Sequence, residues 1–240
     1  MDPEALAREI EAQLERAGDP GRAEHEKRYL KSSLQHLGTS VPVTRRVAGA
    51  AIAGRGDLDH AGLERTVEAL WARPVHECRA AAVELLDLRA DLLVPSDIGL
   101  IERLLRASRT WALVDGLAAS VAGPLVERYP ELATTLDRWA VDHDLWIRRS
   151  ALLALLLPLR RGRGDFERFG RYADAMLSER EFFIRKAIGW VLRDTSRKRP
   201  DMVYAWLLPR ASRASGVTVR EAVKHLSPEQ RDAILAAYRS

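Results

Sequence analysis

The sequence predicts an all-α protein built as a stack of paired helices, and three observations carry the prediction. An Arg-x-Ala motif followed by two apolar pairs begins at Arg79, Arg149, Arg185 and Arg220, at intervals of 70, 36 and 35 residues. The first interval is two periods, and at the missing step stands Val114-Asp115-Gly116-Leu117, with the apolar pattern kept and a carboxylate in the polar slot. Counted from the start of each copy as slot zero, slots two, three, six and seven read Ala81, Ala82, Leu85 and Leu86, then Gly116, Leu117, Ser120 and Val121. The next copies read Ala151, Leu152, Leu155 and Leu156, then Ala187, Ile188, Val191 and Leu192. At roughly 100° per residue these slots cover one side of a helix, with small residues where a neighbour must come close. Aromatic residues make up only 6% of the chain, which fits helices better than sheets. A helical period near 35 residues is the signature of a two-helix solenoid of the HEAT type, in which each repeat buries its apolar face against its neighbours.

Taken in order, residues 2–17 predict an amphipathic helix with Leu6, Ile10 and Leu14 spaced four apart, stopped by Asp19-Pro20-Gly21. Residues 24–32 predict a short helix or turn and 37–42 a loop, after which Arg45 and Arg46 open another helix. Residues 58–72 and 75–88 form one pair around Arg73-Pro74, and Pro95-Ser96-Asp97 starts the next with Ser96 or Asp97 as its N-cap. Residues 142–156 are the clearest copy of the motif, and Arg160 to Gly164 make a basic loop. The pairs 165–177 with 181–193 and 201–208 with 218–226 complete the stack.

A chain of 240 residues without a Gly/Ser linker is expected to be one domain, 1–240, of an ordinary soluble composition: 47% apolar and 30% charged. Its longest apolar run, Ala151 to Leu157, is too short to span a bilayer, and its acidic start resembles no signal peptide, so a cytoplasmic protein is expected. A single cysteine, Cys78, excludes internal disulfides and cysteine-rich zinc sites. The net charge of +4 is uneven, because residues 145–225 carry 18 Lys/Arg against 8 Asp/Glu, or +10, leaving −6 for the rest. Such a basic surface suits a polyanion, most often nucleic acid, and on charge alone a merely solvated face accounts for it equally well.

The chain has no P-loop, GxGxxG, HExxH or GxSxG, so nucleotide hydrolysis, dinucleotide redox, zinc proteolysis and serine hydrolysis lack their usual groups. His76, His143 and His225 fall in different repeats without metal-ligand spacing, and no metal or cofactor is expected. On the side opposite the buried slots, helical arithmetic puts Trp111, Asp115, Arg149, Trp190 and Arg193 within an arc of roughly 140°, on an expected concave basic wall. Trp111 and Asp115 lie four apart, so a ring and a carboxylate project side by side. That pairing suits a cationic target: the ring attracts positive charge, and the carboxylate stabilises a developing cation. Alkylated DNA is a polyanion with such a local cation, and loss of its base passes through an oxocarbenium-like sugar. A structural Asp115–Arg149 ion pair between repeats explains the same residues equally well. Tyr29 and Lys31 read either as phosphate or sugar contacts or, for Tyr29, as an amphipathic ring packed at the end of the stack.

These residues carry a resemblance. Lys27 to Lys31 with Leu37-Gly38 and Pro42 to Arg46, Thr110-Trp111-x-x-Val114-Asp115, Trp146 to Arg149, and above all Glu181 to Arg193 resemble the DNA alkylation repair glycosylases of the AlkD family, from about residue 20 to the C-terminus. The resemblance implies a curved HEAT-like stack that grips alkylated double-stranded DNA in its concave cleft. It also implies a monofunctional glycosylase excising cationic N3- and N7-alkylpurines without flipping the base, as a monomer and without a cofactor. Trp111, Asp115 and Trp190 fall on the family's catalytic positions and Arg149 on the arginine beside them. DNA contacts are expected from Arg148, Arg149, Tyr29, Lys31, Arg45, Arg46, Lys186 and Arg193. The 160–165 loop is richer in arginine than the family pattern. Two other readings remain: a self-resistance glycosylase for bulky adducts of a DNA-alkylating natural product, and a non-catalytic HEAT-like scaffold binding DNA or protein. The joint presence of Trp111, Asp115, Arg149 and Trp190 argues against the scaffold.

Overall fold

The computed structural model describes residues 2–56 and 58–239, and among them the regular structure is helical, apart from one isolated bridge between Gln35 and Val75. The chain divides into two compact units, the boundary falling between Leu117 and Ala118.

In the first unit, α1 (Pro3–Arg16) starts at Asp2, whose carboxylate accepts from the Glu4 amide at 3.0 Å, and buries Leu6, Ile10 and Leu14. Asp19-Pro20, expected to be only a stop signal, also begins α2 (Pro20–Leu30): Asp19 caps the Arg22 amide at 3.0 Å and Pro20 occupies the first helical position, where no amide hydrogen is needed. The short helix or turn is therefore a full helix, closed by Lys31 in the left-handed region at φ 50°. The helix expected to open at Arg45 begins four residues earlier, α3 (Val41–Ile52), with Pro42 again in a first turn. α4 (His60–Ala72) and α5 (His76–Leu88) are the predicted pair, and α5 packs on α3, α4 and α7 (Trp111–Gly116). Asp97 stands at the N-cap of α6 (Ile98–Ser108) as expected but gives it no capping bond; it also ends a 3₁₀ turn, and its carboxylate reaches back to the Val94 amide at 2.7 Å and to His60 Nε2 at 2.9 Å.

A π-helical turn, Leu117–Ala122, leads to the second unit: α8 (Gly123–Arg128), α9 (Ala133–Trp139), α10 (Leu145–Leu153), α11 (Leu156–Arg160), α12 (Phe166–Met176), α13 (Phe182–Ser196), α14 (Pro200–Leu207), α15 (Gly216–Ala222) and α16 (Pro228–Arg239). The single helix implied by the motif slots Ala151 to Leu156 breaks between α10 and α11, because Pro158 lacks the amide hydrogen that the Ala154 carbonyl would otherwise receive. α13 is the hub, packing on α10, α11, α14 and α15.

The motif slots meet the core as predicted in three copies. Ala81, Ala82, Leu85, Leu86, Ala151, Leu152, Leu155, Leu156, Ala187, Ile188, Val191 and Leu192 are all buried. In the second copy Ser120 is only half-buried, while Ala119 and Ala122 are buried. The slip at Ser120 falls within the π turn, whose winding is wider than 3.6 residues, while Leu117 and Val121 of the same copy stay buried. The core also holds Trp139 and Phe169, each with no exposed surface. Burial of side chains this large contributes about 3 kcal/mol apiece.

The apolar faces are pinned by polar bonds spaced at the repeat period. Arg148 to Glu179 spans 31 residues, Arg149 to the Phe183 carbonyl 34, Arg160 to Asp194 34, and Tyr172 to Asp137 35. Lys186 to Glu221 spans 35, Arg210 to Asp174 36, and in the first unit Arg103 to Glu68 35. Much of the basic surface is thus fixed to the adjoining repeat. No helix of the described residues is long and apolar enough to cross a membrane.

Candidate functional site

Trp111 opens α7, whose N-cap is Thr110, and Asp115 follows one turn later on the same helix. Both are half-buried. Gly116 lets this turn approach α5: a Cβ there would stand 2.9 Å from Val83 Cγ1. The Tyr29 ring meets Trp111 edge-on, centroids 6.1 Å apart and planes at 83°, and remains 68% exposed. That edge-to-face geometry orients Trp111 while leaving an aromatic surface in solvent. A cavity of about 290 Å³ adjoins the pair, lined also by Leu30, Val41, Thr44 and Ala80. Among the described residues Lys31 and Arg46 are exposed and carry no ion pair, whereas Arg45 is held by Glu84 and Asp87, at 2.6 Å each.

In the second unit, Trp190 is half-buried on α13, and its Nε1 donates to Asp194 Oδ2 at 3.3 Å. Asp194, only 4% exposed, also accepts from Arg160 Nε at 2.7 Å and Arg193 Nε at 3.1 Å. Lys186 Nζ and Arg193 Nη1 donate to the two oxygens of Glu221 at 2.7 and 2.5 Å, and Lys224 Nζ lies 3.0 Å from the first. Burial alone would raise the Glu221 pKa; the hydrogen bonds from Lys186 and Lys224 and the charges of Lys186 and Arg193 outweigh it and hold the carboxyl at about 2. Gly189 permits the close packing behind this cluster, because a Cβ there would stand 2.8 Å from Glu221 Cβ and 3.1 Å from the Thr218 backbone.

Two arginines depart from the expected open wall. Arg149 is 3% exposed; its Nη1 donates to the Phe183 carbonyl at 2.5 Å and its guanidinium lies 5.9 Å from the Phe183 ring centroid. Arg148 grips Glu179 with Nε and Nη2, at 3.0 and 2.9 Å, and its Nη1 donates to the Asp142 and His143 carbonyls. Both orient the start of α13 and the turn before α10 instead of standing free for phosphates. The 160–164 loop is likewise anchored, with Arg163 Nε 2.9 Å from Glu127. Helical arithmetic places a side chain around its own axis but is blind to what the next repeat puts there, so these partners were not legible.

The sequence reading also missed Tyr29 as the partner of Trp111, since 82 residues separate them, and Asp194 as the group that fixes Trp190. An i,i+4 spacing to Trp190 was the signal available for Asp194.

The fold and these groups define a class: an all-α helical-repeat protein that carries a tryptophan and a carboxylate on one helix, a second tryptophan on another, and clustered cations. Residues 10–226 match the family profile described as DNA alkylation repair enzyme. The chain belongs to that family. It is similar in structure to a protein described as a predicted DNA alkylation repair enzyme from Enterococcus faecalis, with a TM-score of 0.78 and 21% identity over 88% of this chain and 97% of that one. It is also similar to AlkD2 from Streptococcus mutans (TM-score 0.59, 18% identity, 85% of this chain and 98% of that one). Smu.31 from Streptococcus mutans UA159 gives a TM-score of 0.58 and 17% identity over 89% of this chain and all of that one. At these identities the likeness establishes the fold, as predicted from the 35-residue period. No functionally curated protein matches the chain.

Proposed function

We propose that the protein is a monofunctional DNA glycosylase acting as one domain and as a monomer on duplex DNA, removing cationic N3- and N7-alkylated purines without drawing the base into a pocket. The observation that carries the reading is the pairing of family membership over residues 10–226 with Trp111 and Asp115 on one helix, Trp111 braced by Tyr29. Alkylation at N3 or N7 leaves the purine positively charged and weakens its bond to the sugar. As the C1′–N bond breaks, the base takes both electrons and becomes neutral, while the sugar acquires oxocarbenium character. The Asp115 carboxylate stabilises that charge and orients water, which attacks C1′ and loses a proton, giving an abasic site. The ring of Trp111 offers a π face to the cationic sugar, and Trp190 offers an aromatic surface to the DNA from the second unit. Lys31 and Arg46 are the exposed cations best suited to phosphates; Lys186 and Arg193 join them by exchanging Glu221 for the DNA backbone.

The test is release of 3-methyladenine and 7-methylguanine from methylated duplex DNA by the purified protein and by Asp115→Asn. Release by the parent, with loss in the variant and DNA binding retained in both, is expected. Equal release by both refutes the mechanism, and no release by either, with binding intact, favours bulky-adduct specialisation or a scaffold.

A further inference from the structure

Behind the cavity beside Trp111, whose wall includes Glu26, His76 and Glu77, the first unit buries a polar cluster that the proposed chemistry does not use. The chain crosses from α2 to α3 through residues 31–40, and this crossing is stitched to α5 by backbone bonds: Gln35 N to the Pro74 carbonyl at 2.8 Å and His76 N to the Gln35 carbonyl at 2.9 Å. The stitching lays the His36 ring flat on His76, centroids 4.6 Å apart and planes 6° from parallel. His36 is 8% exposed, and both of its ring nitrogens lack a hydrogen-bond partner, as does Nδ1 of His76. Glu77, 1% exposed, accepts the Leu37 amide on one oxygen at 2.9 Å and the Gly38 amide on the other at 2.6 Å. Glu26, at the rim on α2, is paired with Arg22 at 2.6 Å. One ligand atom each from Glu26, His36 and Glu77 lie within 4.8 Å of one another.

A buried polar nitrogen without a partner costs about 1–3 kcal/mol, so three of them beside two carboxylates call for an occupant. A divalent cation bound by one imidazole nitrogen and two carboxylate oxygens would neutralise the buried Glu77 carboxylate and take Glu26 over from Arg22. One nitrogen and two oxygens are a mixed set, suited to a borderline ion and poor for Ca²⁺ or Mg²⁺, which prefer oxygen alone. Burial lowers the His36 pKa against the raising effect of Glu77 and Glu26, so the ring offers a lone pair at neutral pH. With Zn–ligand distances near about 2.0–2.1 Å, tetrahedral ligands stand roughly 3.3 Å apart, and the half-exposed Glu26 side chain supplies the remaining movement by leaving Arg22.

We propose that Glu26, His36 and Glu77 form a binding site for one Zn²⁺ or similar borderline divalent cation, clamping α2 and the 35–38 crossing to α5. The site has three protein ligands and an open fourth position, and its role is to stiffen the end of the first unit.

The experiment is titration of metal-free, full-length protein with Zn²⁺ by calorimetry against a competing chelator, repeated with Co²⁺ for its absorption spectrum. One ion per chain with micromolar or tighter affinity, and Co²⁺ bands of the intensity of four- or five-coordinate sites, is the expected result. Glu26→Gln, a change at the rim, should weaken binding more than 10-fold with unaltered circular dichroism, and His36→Ala should abolish it. If His36→Ala fails to fold, the Glu26→Gln titration and the Co²⁺ spectrum decide alone. Absence of saturable binding, or equal affinity in parent and Glu26→Gln, overturns the proposal and leaves water or a shared proton as the partner of the imidazoles.

Discussion

Replacing Gly189 by alanine separates two opposed effects whose difference in sign is measurable. In an unobstructed helix the change stabilises by up to about 1 kcal/mol, through helix propensity and a less floppy unfolded chain. At Gly189 the new methyl would stand 2.8 Å from Glu221 Cβ and 3.1 Å from both Cα and carbonyl oxygen of Thr218, all on α15. Ordinary contact begins near 3.4 Å. The helices must therefore part by several tenths of an ångström, and two of the three obstructing atoms are backbone. Overpacking of this kind costs about 1–3 kcal/mol, so the net effect is a destabilisation of about 1–2 kcal/mol. Gly99→Ala is the control, because no atom outside its helix lies within 4 Å of the added methyl; it should be neutral or stabilising. Urea unfolding of both variants, read as midpoint shifts at constant slope, measures the difference. A Gly189→Ala protein as stable as Gly99→Ala would refute the close α13–α15 packing, and with it the account of how Lys186 and Arg193 reach Glu221.

Phe169→Ala removes a fully buried ring and should cost about 3–5 kcal/mol in the same assay. Glu221 has its folded pKa depressed from 4.5 to about 2, so its contribution is fully present above pH 4.5 and is lost as the pH falls toward 2; acid unfolding curves should show this slope, and Glu221→Gln should flatten it. Lys31→Ala and Arg46→Ala should each lower the slope of log binding constant against log salt by about 1, measured by fluorescence anisotropy on duplex DNA. Arg149→Ala should instead lower stability and leave that slope unchanged, since its guanidinium is buried against Phe183; a flattened slope would restore it as a phosphate contact.

The fold was legible because the apolar slots repeat with small residues at the same places, and burial against an identical neighbour is a local property of each copy. Helix starts were less legible where one residue pair serves two purposes, as Asp19-Pro20 does in stopping one helix and beginning the next. The π turn after Asp115 was hidden because Leu117, Ala118 and Ala119 suit an α-helix as well as the wider winding. For the candidate site, Trp111, Asp115 and Trp190 followed from slots and from the family resemblance. The environments of Arg148 and Arg149 did not, because their partners Glu179 and Phe183 lie one period away, beyond any i,i+4 rule. His36 carried no signal at all: only the bridge from Gln35 to Val75 brings it against His76.

The bonds that recur 31 to 36 residues apart bear on how such a chain tolerates being lengthened or shortened. Stacked apolar faces of Ala and Leu are nearly featureless and permit a helix to settle one turn out of place. A guanidinium that must find one carboxylate in the adjoining copy does not. Removing three or four residues from a helix in this ladder would therefore misalign every rung above the cut at once. Excising a whole period would not preserve them either, because one period beyond Glu179 stand Ala214 and Ser215, and one period before Asp174 stand Arg138 and Trp139, none of them a carboxylate. The ladder therefore does what the apolar faces alone do not: it specifies which copy lies beside which.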